Sequence, residues 1–457
     1  MSSTNEVSRR EFIGAASTAA VGAMVVPRHV LGGPGYQAPS DTLNIAGVGV
    51  GGVGTSKIEA MDSENIVALC DVDWDHAKEI FEEYPDANRY KDYRVMLEEE
   101  PDIDAVMIAT PDHTHAVIAQ RAMEMGRHVY VEKPLTYSVE EARTLHRTAN
   151  ANPELVTQMG NQGRSGPVSE PEDDEEEIEG GRRVIELIQG GAIGDVHTVH
   201  IWTDRPVGFW AQGVEAPDTP EPLPDTLAWD VFLGPAPYRP YHSAFHPFAW
   251  RGWLDYGVGA LGDMGAHLMD YPMLALDLGY PSTVEVSSTP FNGVSYPTAM
   301  MAHYSFPRED APPLEMKWYD GGLLPPRPSE LPDDEELNPT GGVIYEGDEG
   351  KLMNDTYGEN PRLLPEELHE EYDDLPQSLP RVEETHEMNF VNACKGEAEA
   401  TSPFEEAAPL TETMLLGIVA LRADVPHIEW DGDEGRITND EDANKYLHRE
   451  YRRGWTL

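Results

Sequence analysis

The tripeptide Glu132-Lys133-Pro134 has the residue types and the placement of a reactive element. It ends an apolar run, His128 to Val131, that is typical of a buried strand. Because proline lacks an N–H and holds the residue before it in extended or turn geometry, Lys133 is expected at the carboxyl end of that strand. Open α/β sheets bind ligands at this edge. A lysine there can contact a cofactor and share protons with a substrate hydroxyl, although Glu-Lys-Pro also occurs in ordinary surface turns.

A glycine motif upstream gives the tripeptide its context. Gly49, Gly51 and Gly54 satisfy G-x-G-x-x-G directly after the short apolar strand Leu43–Ala46. This spacing provides a tight turn, close approach of the backbone to a pyrophosphate, and close packing of helix on strand. The next helix would direct its N-terminal N–H groups at the phosphates. A glycine-rich linker is the alternative, but a strand, loop, helix and second strand in register argue against it.

An acidic residue indicates which dinucleotide is bound. Asp71 ends the second predicted strand, Ile66–Cys70, and lies twenty residues after Gly51. A carboxylate at that distance accepts a hydrogen bond from a ribose 2′-OH and repels a 2′-phosphate, so NAD is expected and NADP is less favoured. Asp73 is the rival for this role.

A second acid/base candidate lies in the segment Gly262–Asp270. Asp263 and His267 are four residues apart and therefore share one face of a helix. An imidazole beside a carboxylate is a usable acid/base pair near neutral pH. In the competing interpretation, Asp263 is a helix N-cap and His267 a satisfied core histidine. Further ligands at standard zinc spacing are not found, so no metal is predicted.

The elements that must position these residues alternate in the manner of a parallel sheet. Residues 41–165 read as βαβ units and are predicted to form a dinucleotide-binding domain. Within it, Ile103–Ala109 is a predicted strand, Thr110–His115 the loop at its carboxyl end, and Val139–Asn150 a helix. His113 and His115 either line the nicotinamide pocket or cap the following helix, and the sequence does not separate these.

Residues 166–457 are predicted to form a second domain for substrate binding and oligomerisation. An acidic linker, Gly160–Gly181, leads to a predicted helix at Arg182–Gln189 and a strand at Val196–Thr203. The segment Pro206–Pro247 is too long for a plain connection and is rich in proline and aromatics. Side chains suited either to stacking on sugars or to packing cluster in and just after it. They are Tyr238, Tyr241, His242, His246, Trp250 and Trp253.

The N-terminal residues 1–40 have the layout of an export signal. Ser8-Arg9-Arg10-Glu11-Phe12-Ile13 is a twin-arginine pattern, and a stretch of small and apolar residues follows from Gly14 to Pro27. A disordered basic terminus is the alternative. This layout predicts a periplasmic or extracellular protein, and because the twin-arginine route carries folded proteins, the dinucleotide would be loaded before export. Beyond this region the sequence contains no apolar run of membrane-spanning length.

The charge balance excludes some partners. The chain has 83 Asp and Glu against 32 Lys and Arg, a net charge of −51. Nucleic acids and anionic membranes are poor partners for such a surface. Acids spread over the whole chain indicate adaptation to high salt, where screening acts over about 3 Å at 1 M. The two cysteines, Cys70 and Cys394, exclude a disulfide scaffold.

Together these motifs resemble the glucose–fructose oxidoreductase / inositol dehydrogenase (Gfo/Idh/MocA) family. The resemblance extends from about Leu43 onward. Further stretches resemble an exported bacterial subgroup of this family that carries a twin-arginine signal. The family marks are the glycine loop, Ala109-Thr110-Pro111-Asp112-His113-Thr114-His115, Glu132-Lys133-Pro134 and Asp263-x-x-x-His267. Subgroup marks are Trp229-Asp230, Leu233–Pro237, Trp250-Arg251-Gly252-Trp253 and Tyr451-Arg452-Arg453-Gly454-Trp455. The His-Gly-Asn and Tyr-Pro-Thr-His patterns of the family's sugar-hydrolysing branch are not found, which argues against direct glycoside hydrolysis of that type.

The resemblance implies an α/β fold with an NAD-binding Rossmann domain and a C-terminal α/β domain containing a large, mostly antiparallel open sheet. It implies that Lys133, Asp263 and His267 converge at the nicotinamide as the catalytic residues. The expected cofactor contacts are Gly49, Gly51, Gly52, Gly54, Asp71, Thr110, Pro111, His115, Glu132 and Lys133. The expected substrate contacts are Trp250, Arg251, Asp263 and His267. A homo-oligomer, dimer or tetramer, is also expected.

These inferences predict an exported NAD-dependent oxidoreductase that acts on a sugar, cyclitol or related polyol. His267 would accept the hydroxyl proton, Lys133 would stabilise charge on the same oxygen, and Asp263 would orient His267; which of Lys133 and His267 is the base is left open. Two alternatives stand beside this prediction. One is a redox-neutral enzyme that retains its NAD and performs epimerisation, elimination or glycoside cleavage. The other is a binding protein without turnover, against which the three intact residues argue.

Overall fold

The computed structural model describes residues 42–166, 180–372 and 374–457, and the compact unit they form begins at Asn44. The twin-arginine pattern and most of the acidic linker lie outside the described residues. Among the helices of the described ranges, none combines the length and the apolar character needed to cross a membrane.

The first sheet has six parallel strands in the order β3-β2-β1-β4-β5-β6. Its strands are β1 (Asn44–Val48), β2 (Asn65–Cys70), β3 (Asn88–Tyr90), β4 (Ala105–Ile108), β5 (His128–Glu132) and β6 (Thr157–Gly160). The central strands are apolar because helices cover both faces of such a sheet. The strand order reverses between β1 and β4, which is where open α/β sheets form a ligand crevice at their carboxyl ends.

Five helices connect these strands. They are Val53–Glu59, Lys78–Glu83, Tyr93–Glu99, Asp112–Glu124 and Val139–Ala151. The last begins with a capping box: Ser138 Oγ accepts from the N–H of Glu141, and the Glu141 carboxylate accepts from the N–H of Ser138. This pairing satisfies two backbone donors that the helix itself leaves unpaired. The predicted start at Val139 is therefore confirmed.

The second sheet has nine strands in the order β13-β12-β11-β7-β10-β9-β8-β14-β15. Its strands are β7 (Val196–Thr203), β8 (Thr283–Ser288), β9 (Met300–Phe306), β10 (Leu314–Tyr319), β11 (Gly341–Gly347), β12 (Lys351–Asn354), β13 (Arg362–Leu364), β14 (His427–Asp431) and β15 (Arg436–Ile437). The β7–β10 pair is parallel and the other pairs are antiparallel. The predicted fold class, a Rossmann sheet followed by an α/β domain with a mostly antiparallel sheet, is confirmed.

The helices of the second half pack between the two sheets and around them. They are Gly181–Gln189, Trp229–Leu233, Gly259–Leu268, Asp270–Ala275, Glu366–Tyr372, His386–Cys394 and Phe404–Ala423. The longest, Phe404–Ala423, packs against Val139–Ala151 of the first half. One apolar core includes residues of both sheets, such as Val131 and Met316. The edge at the carboxyl ends of the first sheet is thereby held against the second half of the chain.

Candidate active site

A cavity of about 520 Å³ opens along the carboxyl edge of the first sheet. Its wall includes the residues that follow the strands, and the strand order fixes their sequence in space. From one end to the other these are Lys91 after β3, Asp71 after β2, Gly49 after β1, Thr110 after β4, Lys133 after β5 and Gln162 after β6. The glycine loop therefore lies in the middle of the cavity, with Asp71 on one side and Lys133 on the other.

The glycine loop leaves its backbone open toward the cavity. Gly49 has a φ of 77°, and a Cβ there would lie 2.7 Å from the backbone nitrogen of Thr110. A Cβ at Gly54 would lie 2.0 Å from the carbonyl oxygen of Gly49, so the helix Val53–Glu59 packs tightly on its strand. Gly49, Gly51 and Gly52 line the cavity, whereas Gly54 acts in packing. Bare backbone at the start of a helix suits a pyrophosphate.

Asp71 is the acid that faces this loop. Its Oδ2 accepts a hydrogen bond of 2.9 Å from the N–H of Gly51, and its Oδ1 accepts one of 2.9 Å from the N–H of Asp73. Burial raises the pKa of Asp71, while these two hydrogen bonds oppose the rise. Asp73 turns away, and its Oδ2 lies 3.0 Å from Nε2 of His246. Of the two rival acids, Asp71 is the one that lines the cavity.

Lys133 and Asp263 form an ion pair at the other end. Nζ of Lys133 donates to Oδ1 of Asp263 at 2.8 Å and to its backbone oxygen at 3.1 Å. The same Oδ1 lies 3.6 Å from Nε of Arg251. Burial alone would raise the pKa of Asp263, but Lys133 and Arg251 outweigh it and lower this pKa to about 2. Lys133 lines the cavity, whereas Asp263 holds it from outside the lining.

His267 lies one turn after Asp263 on the helix Gly259–Leu268, and both side chains are near Lys133. The competing interpretation of Asp263 as an N-cap is wrong, because the helix begins four residues earlier. His267 is 6% exposed and lines the cavity. Burial and the charge of Lys133 lower the pKa of His267 well below its usual value, against the opposing effect of Asp263. The imidazole is therefore neutral at pH 7.

The partner of His267 Nδ1 is Asn161, at 2.8 Å through Oδ1. Nδ2 of Asn161 donates to the backbone oxygen of Ala266 and to Oδ2 of Asp270, both at 2.8 Å. Arg164 donates two hydrogen bonds of 2.6 Å to the same Asp270 carboxylate. Since both amide hydrogens are committed to acceptors, the oxygen of Asn161 must face His267. Nδ1 then carries the imidazole proton, and Nε2 carries the lone pair.

The remaining predicted cofactor residues divide into those in the wall and one behind it. Thr110, Pro111 and Glu132 line the cavity. Glu132 Oε1 accepts from Nε2 of Gln162 at 3.0 Å and lies 3.8 Å from Nζ of Lys57. Its pKa is raised by burial, against the opposing effect of Lys57.

His115, a predicted cofactor contact, does not line the cavity, so the structure gives this prediction no support. Its ring nitrogens lie 2.8 and 2.7 Å from the carbonyl oxygens of Pro134 and Thr110. His113 is likewise held between the carbonyl oxygens of Tyr256 and Phe232. The predicted loop Thr110–His115 already contains the first turn of the helix Asp112–Glu124. Both histidines therefore tie backbone segments together behind the wall.

The aromatic loop divides between the two roles left open by its sequence. Trp250 and Arg251 line the cavity, and the Arg251 guanidinium lies 4.2 Å above the Trp250 ring. His246 also lines it. Trp250 and Trp253 both belong to a separate aromatic core, but Trp253 does not line the cavity, and Tyr238 is 72% exposed. The loop thus supplies packing over most of its length and a cavity wall at two short segments.

Several wall residues are not among those that the sequence patterns predict. They are Lys57, His76, Lys91, Tyr93, Asp112, Gln162, Phe248, Tyr357 and Trp455. Among these, Asp112 has the chemistry most suited to a functional role. Its Oδ2 accepts from the N–H of Val258, and burial raises its pKa to about 7 against the effect of Arg251. Its place beside Thr110 and Pro111 is the signal in the sequence. Lys57 has no such signal. Trp455 belongs to a segment that marks the family subgroup, but that mark does not indicate a place in the cavity wall.

Comparison with known families agrees with this geometry. The GFO_IDH_MocA model for an oxidoreductase family with an NAD-binding Rossmann fold matches residues 43–159. The model of that family's C-terminal alpha/beta domain matches residues 182–301. The two matches together span more than half of the chain.

Individual relatives are similar over shorter stretches. A glycosyl hydrolase family 109 protein of Shewanella pealeana is 30% identical over 182 residues, covering 34% of this chain and 40% of the relative. A myo-inositol 2-dehydrogenase of Thermotoga maritima is 24% identical over 168 residues, covering 36% of this chain and 46% of the relative. The chain thus spans less than half the length of these curated relatives.

Solved structures share the fold over most of the chain. The WlbA dehydrogenase of Bordetella pertussis, in complex with NADH and UDP-GlcNAcA, superposes with a TM-score of 0.57. It is 15% identical, and the match covers 85% of this chain and 98% of the other. At this identity the likeness concerns the fold alone.

Proposed function

The chain belongs to the Gfo/Idh/MocA family of oxidoreductases, and from that premise we propose that it is an NAD-dependent oxidoreductase acting on a CH–OH group of a sugar, cyclitol or related polyol. One observation carries the proposal. A single cavity contains the glycine loop with Asp71 and, across the sheet edge, Lys133 and His267. A dinucleotide site and an acid/base pair in one cavity meet the needs of hydride transfer at a carbinol carbon.

The chain's own residues fit a dinucleotide. Gly49, Gly51 and Gly52 would hold the pyrophosphate, and a side chain at Gly49 would collide with the backbone of Ala109 and Thr110 after β4. Asp71 would accept from the ribose hydroxyls on its side of the loop. A bound nicotinamide ring supplies or accepts the hydride. The carboxylate of Asp71 disfavours a 2′-phosphate, so we propose NAD rather than NADP.

The proton chemistry falls to His267 and Lys133. Because Asn161 fixes the proton on Nδ1, Nε2 of neutral His267 is free to accept the hydroxyl proton during oxidation and to return it during reduction. Lys133, whose Nζ is held by Asp263, would donate a hydrogen bond to the same substrate oxygen and stabilise its developing negative charge. Asp263 is then a positioning residue, because its carboxylate acts through Lys133.

Trp250 and Arg251, which line the cavity near the Lys133–Asp263 pair, favour a sugar or polyol as substrate. Trp250 offers an aromatic face and Arg251 a cation near the Lys133–Asp263 pair. Sugar and polyol substrates present both apolar C–H faces and hydroxyl groups, which such a pair of residues can bind. The relative named myo-inositol 2-dehydrogenase supports a polyol.

We also propose that the protein is exported. The support is the twin-arginine pattern at Ser8–Ile13 together with an acidic composition suited to a salty exterior. An assay for this proposal expresses the full chain fused to a reporter. Replacing Arg9 and Arg10 by lysine should abolish its export.

The test of function incubates purified protein with a panel of sugars and polyols and follows both product and cofactor by mass spectrometry. Turnover of one substrate with equimolar NADH formation is expected. The Lys133→Ala and His267→Ala variants serve as controls for contaminating activity. A protein that carries no dinucleotide and turns over no member of the panel would overturn the proposal.

A redox-neutral reaction is the second candidate, and the similarity to a glycosyl hydrolase family 109 protein favours it. In that case the hydride removed from the substrate returns to it, and no NADH accumulates. Epimerised, eliminated or cleaved product without net reduction of NAD would identify this reaction, whereas equimolar NADH would exclude it.

A further inference from the structure

The tail, residues 448–457, is bonded to the segment 230–235 of the second half and contacts the helix Tyr93–Glu99 of the first half. Arg452 donates from its backbone N–H to the oxygen of Pro235 and from Nε to the oxygen of Gly234, both at 3.0 Å. Its guanidinium also bonds to the carboxylate and backbone oxygen of Asp230. The N–H of Trp455 donates to the oxygen of Arg452 at 3.0 Å. These bonds fix the position from which Trp455 extends.

Trp455 is buried, with 7% of its surface exposed, and it lines the cavity. The guanidinium of Arg94 lies 4.3 Å from its ring centre, and the ring of Tyr93 lies 6.2 Å away. Asp92 holds Arg94 in place through Nε and Nη2. The indole is therefore held in place by contacts with a fixed cation and an aromatic ring, and part of it still lines the cavity.

The position of Trp455 along the cavity identifies what it faces. Lys91 and Tyr93 follow β3, which lies beside β2 and beyond Asp71 as seen from Lys133. If the glycine loop holds the pyrophosphate and Lys133 marks the nicotinamide end, the space past Asp71 receives the other base. A flat, neutral purine stacks well on aromatic side chains.

We propose that Trp455 forms the outer wall of the adenine pocket and that the tail retains the dinucleotide. The inference rests on the proposed NAD site and adds a cofactor-binding residue. Replacing an aromatic side chain that stacks on a base by alanine weakens binding by about fivefold to a hundredfold. The tail would then act chiefly on the rate at which dinucleotide leaves.

The experiment compares the wild-type chain with Trp455→Ala, Trp455→Phe and Arg453→Ala. Arg453 is an exposed residue of the same tail and serves as the matched control. Affinities for NAD, AMP and nicotinamide mononucleotide are measured by calorimetry, and NADH release is measured by a chase in stopped flow. Trp455→Ala should weaken NAD and AMP by a similar factor and speed NADH release by that factor. Nicotinamide mononucleotide should be affected less than twofold, Trp455→Phe should restore most of the loss, and Arg453→Ala should match wild type.

Equal affinities for AMP in wild type and Trp455→Ala would overturn the inference. Equal weakening of AMP and nicotinamide mononucleotide would also overturn it, because the tail would then support the site as a whole. If Trp455→Ala does not fold, Trp455→Leu keeps an apolar contact with Tyr93 while removing the aromatic face, and the same AMP comparison decides. A wild-type chain that binds no dinucleotide would refute the proposed function as well. A wild-type chain that binds NAD, with no effect of Trp455→Ala on AMP, would refute only the role of Trp455.

Discussion

The oxygen of Asn161 lies 2.8 Å from Nδ1 of His267, and the direction of that hydrogen bond is fixed by residues beyond it. The amide hydrogens of Asn161 are donated to Ala266 and Asp270, and Arg164 holds the Asp270 carboxylate. A chain of four side chains therefore sets the tautomer of one imidazole.

Replacing Asn161 should change the proton position on His267 without removing the histidine. Asn161→Leu removes the acceptor for Nδ1–H, so both tautomers become populated and turnover should fall roughly tenfold to a hundredfold, part of the 10²–10⁴-fold value of a general base. Asn161→Asp keeps an acceptor for Nδ1–H but replaces the two donations to Ala266 and Asp270 by contacts between oxygens, so turnover and the pH profile should change while the Nδ1–H tautomer is kept. Histidine-selective ¹⁵N spectra report the tautomer. Spectra and pH profiles identical to wild type in both variants would contradict the role given to Asn161.

Lys133→Ala and His267→Ala should each lose turnover while keeping the fold and the dinucleotide. Removal of one acid/base group costs about 10²–10⁴-fold in rate, or roughly 3–5 kcal/mol of transition-state stabilisation. The measurement is kcat on the identified substrate, with bound dinucleotide quantified in parallel. Lys445→Ala, a lysine that does not line the cavity, is the control. Near-wild-type rates in both active-site variants would exclude the mechanism.

The identity of the bound dinucleotide tests the role of Asp71. Denatured protein should release NAD or NADH, because the carboxylate beside Gly51 repels a 2′-phosphate. Asp71→Ser should reduce the preference for NAD over NADP, because NADP binding improves relative to NAD binding. Mass spectrometry of the released cofactor and affinities for both dinucleotides provide the measurement. Recovery of mainly NADP from the wild-type chain would show that Asp71 has another role.

Asp112 should make stability depend on pH in a defined direction. Its pKa is about 7 in the folded chain, chiefly through burial, against an ordinary value of 3.8. The folded state therefore binds the proton more tightly, and the stability of the dinucleotide-free protein should fall as pH rises from about 4 to 7 on account of this group. Asp112→Asn removes the titration and can still accept from Val258. Its melting temperature should exceed that of wild type more at pH 8 than at pH 5, and the growth of this difference between the two pH values corresponds to about 3 kcal/mol.

The control for that experiment is Asp218→Asn, which changes an exposed carboxylate. The difference in melting temperature between Asp218→Asn and wild type should not grow comparably between pH 5 and pH 8. A difference between wild type and Asp112→Asn that stays constant across this range would mean that Asp112 ionises at its ordinary value.

Salt should stabilise the fold. With 83 acids against 32 bases, repulsion among like charges exceeds what ion pairs can offset. Screening shortens from about 10 Å at 0.1 M to about 3 Å at 1 M, so the melting temperature should rise between 0.1 and 2 M KCl. Potassium chloride is the better probe because sulfate also strengthens apolar burial. A flat or falling melting temperature would mean that the acidic surface serves solubility alone.

The sequence predicted best what local patterns control. The glycine loop, the strand before Lys133 and the shared helix of Asp263 and His267 follow from short-range spacing, and the structure contains each of them. What it could not predict depends on pairs distant in the chain. The approach of Lys133 to Asp263, 130 residues apart, follows only from the family resemblance, and no pattern predicts that Asn161 contacts His267 across 106 residues. No periodicity encodes such contacts.

His115 illustrates a different limit of the sequence patterns. Its position in a family motif at a strand end suggested the cavity, but the helix begins at Asp112 and turns the ring toward the oxygens of Thr110 and Pro134. A difference of one helical turn therefore decides whether a side chain lies in the wall or behind it. Trp455 shows the opposite outcome: it lines the cavity, although its segment is only a mark of the family subgroup and no site role is predicted for it.

The helix Phe404–Ala423 determines whether the two halves of this protein can be separated into independent domains. It packs on Val139–Ala151, and Arg143 and Glu412 join the two through hydrogen bonds of 2.7 and 2.6 Å. Just before it, the oxygen of Ser402 accepts from the N–H of Met159 on β6. The Rossmann segment is thus not expected to be stable alone. Its last strand, β6, and its last helix, Val139–Ala151, are covered by residues 402–423 of the second half. A chimera that transplants residues 41–165 must bring the 402–423 segment with it to keep its apolar surface covered.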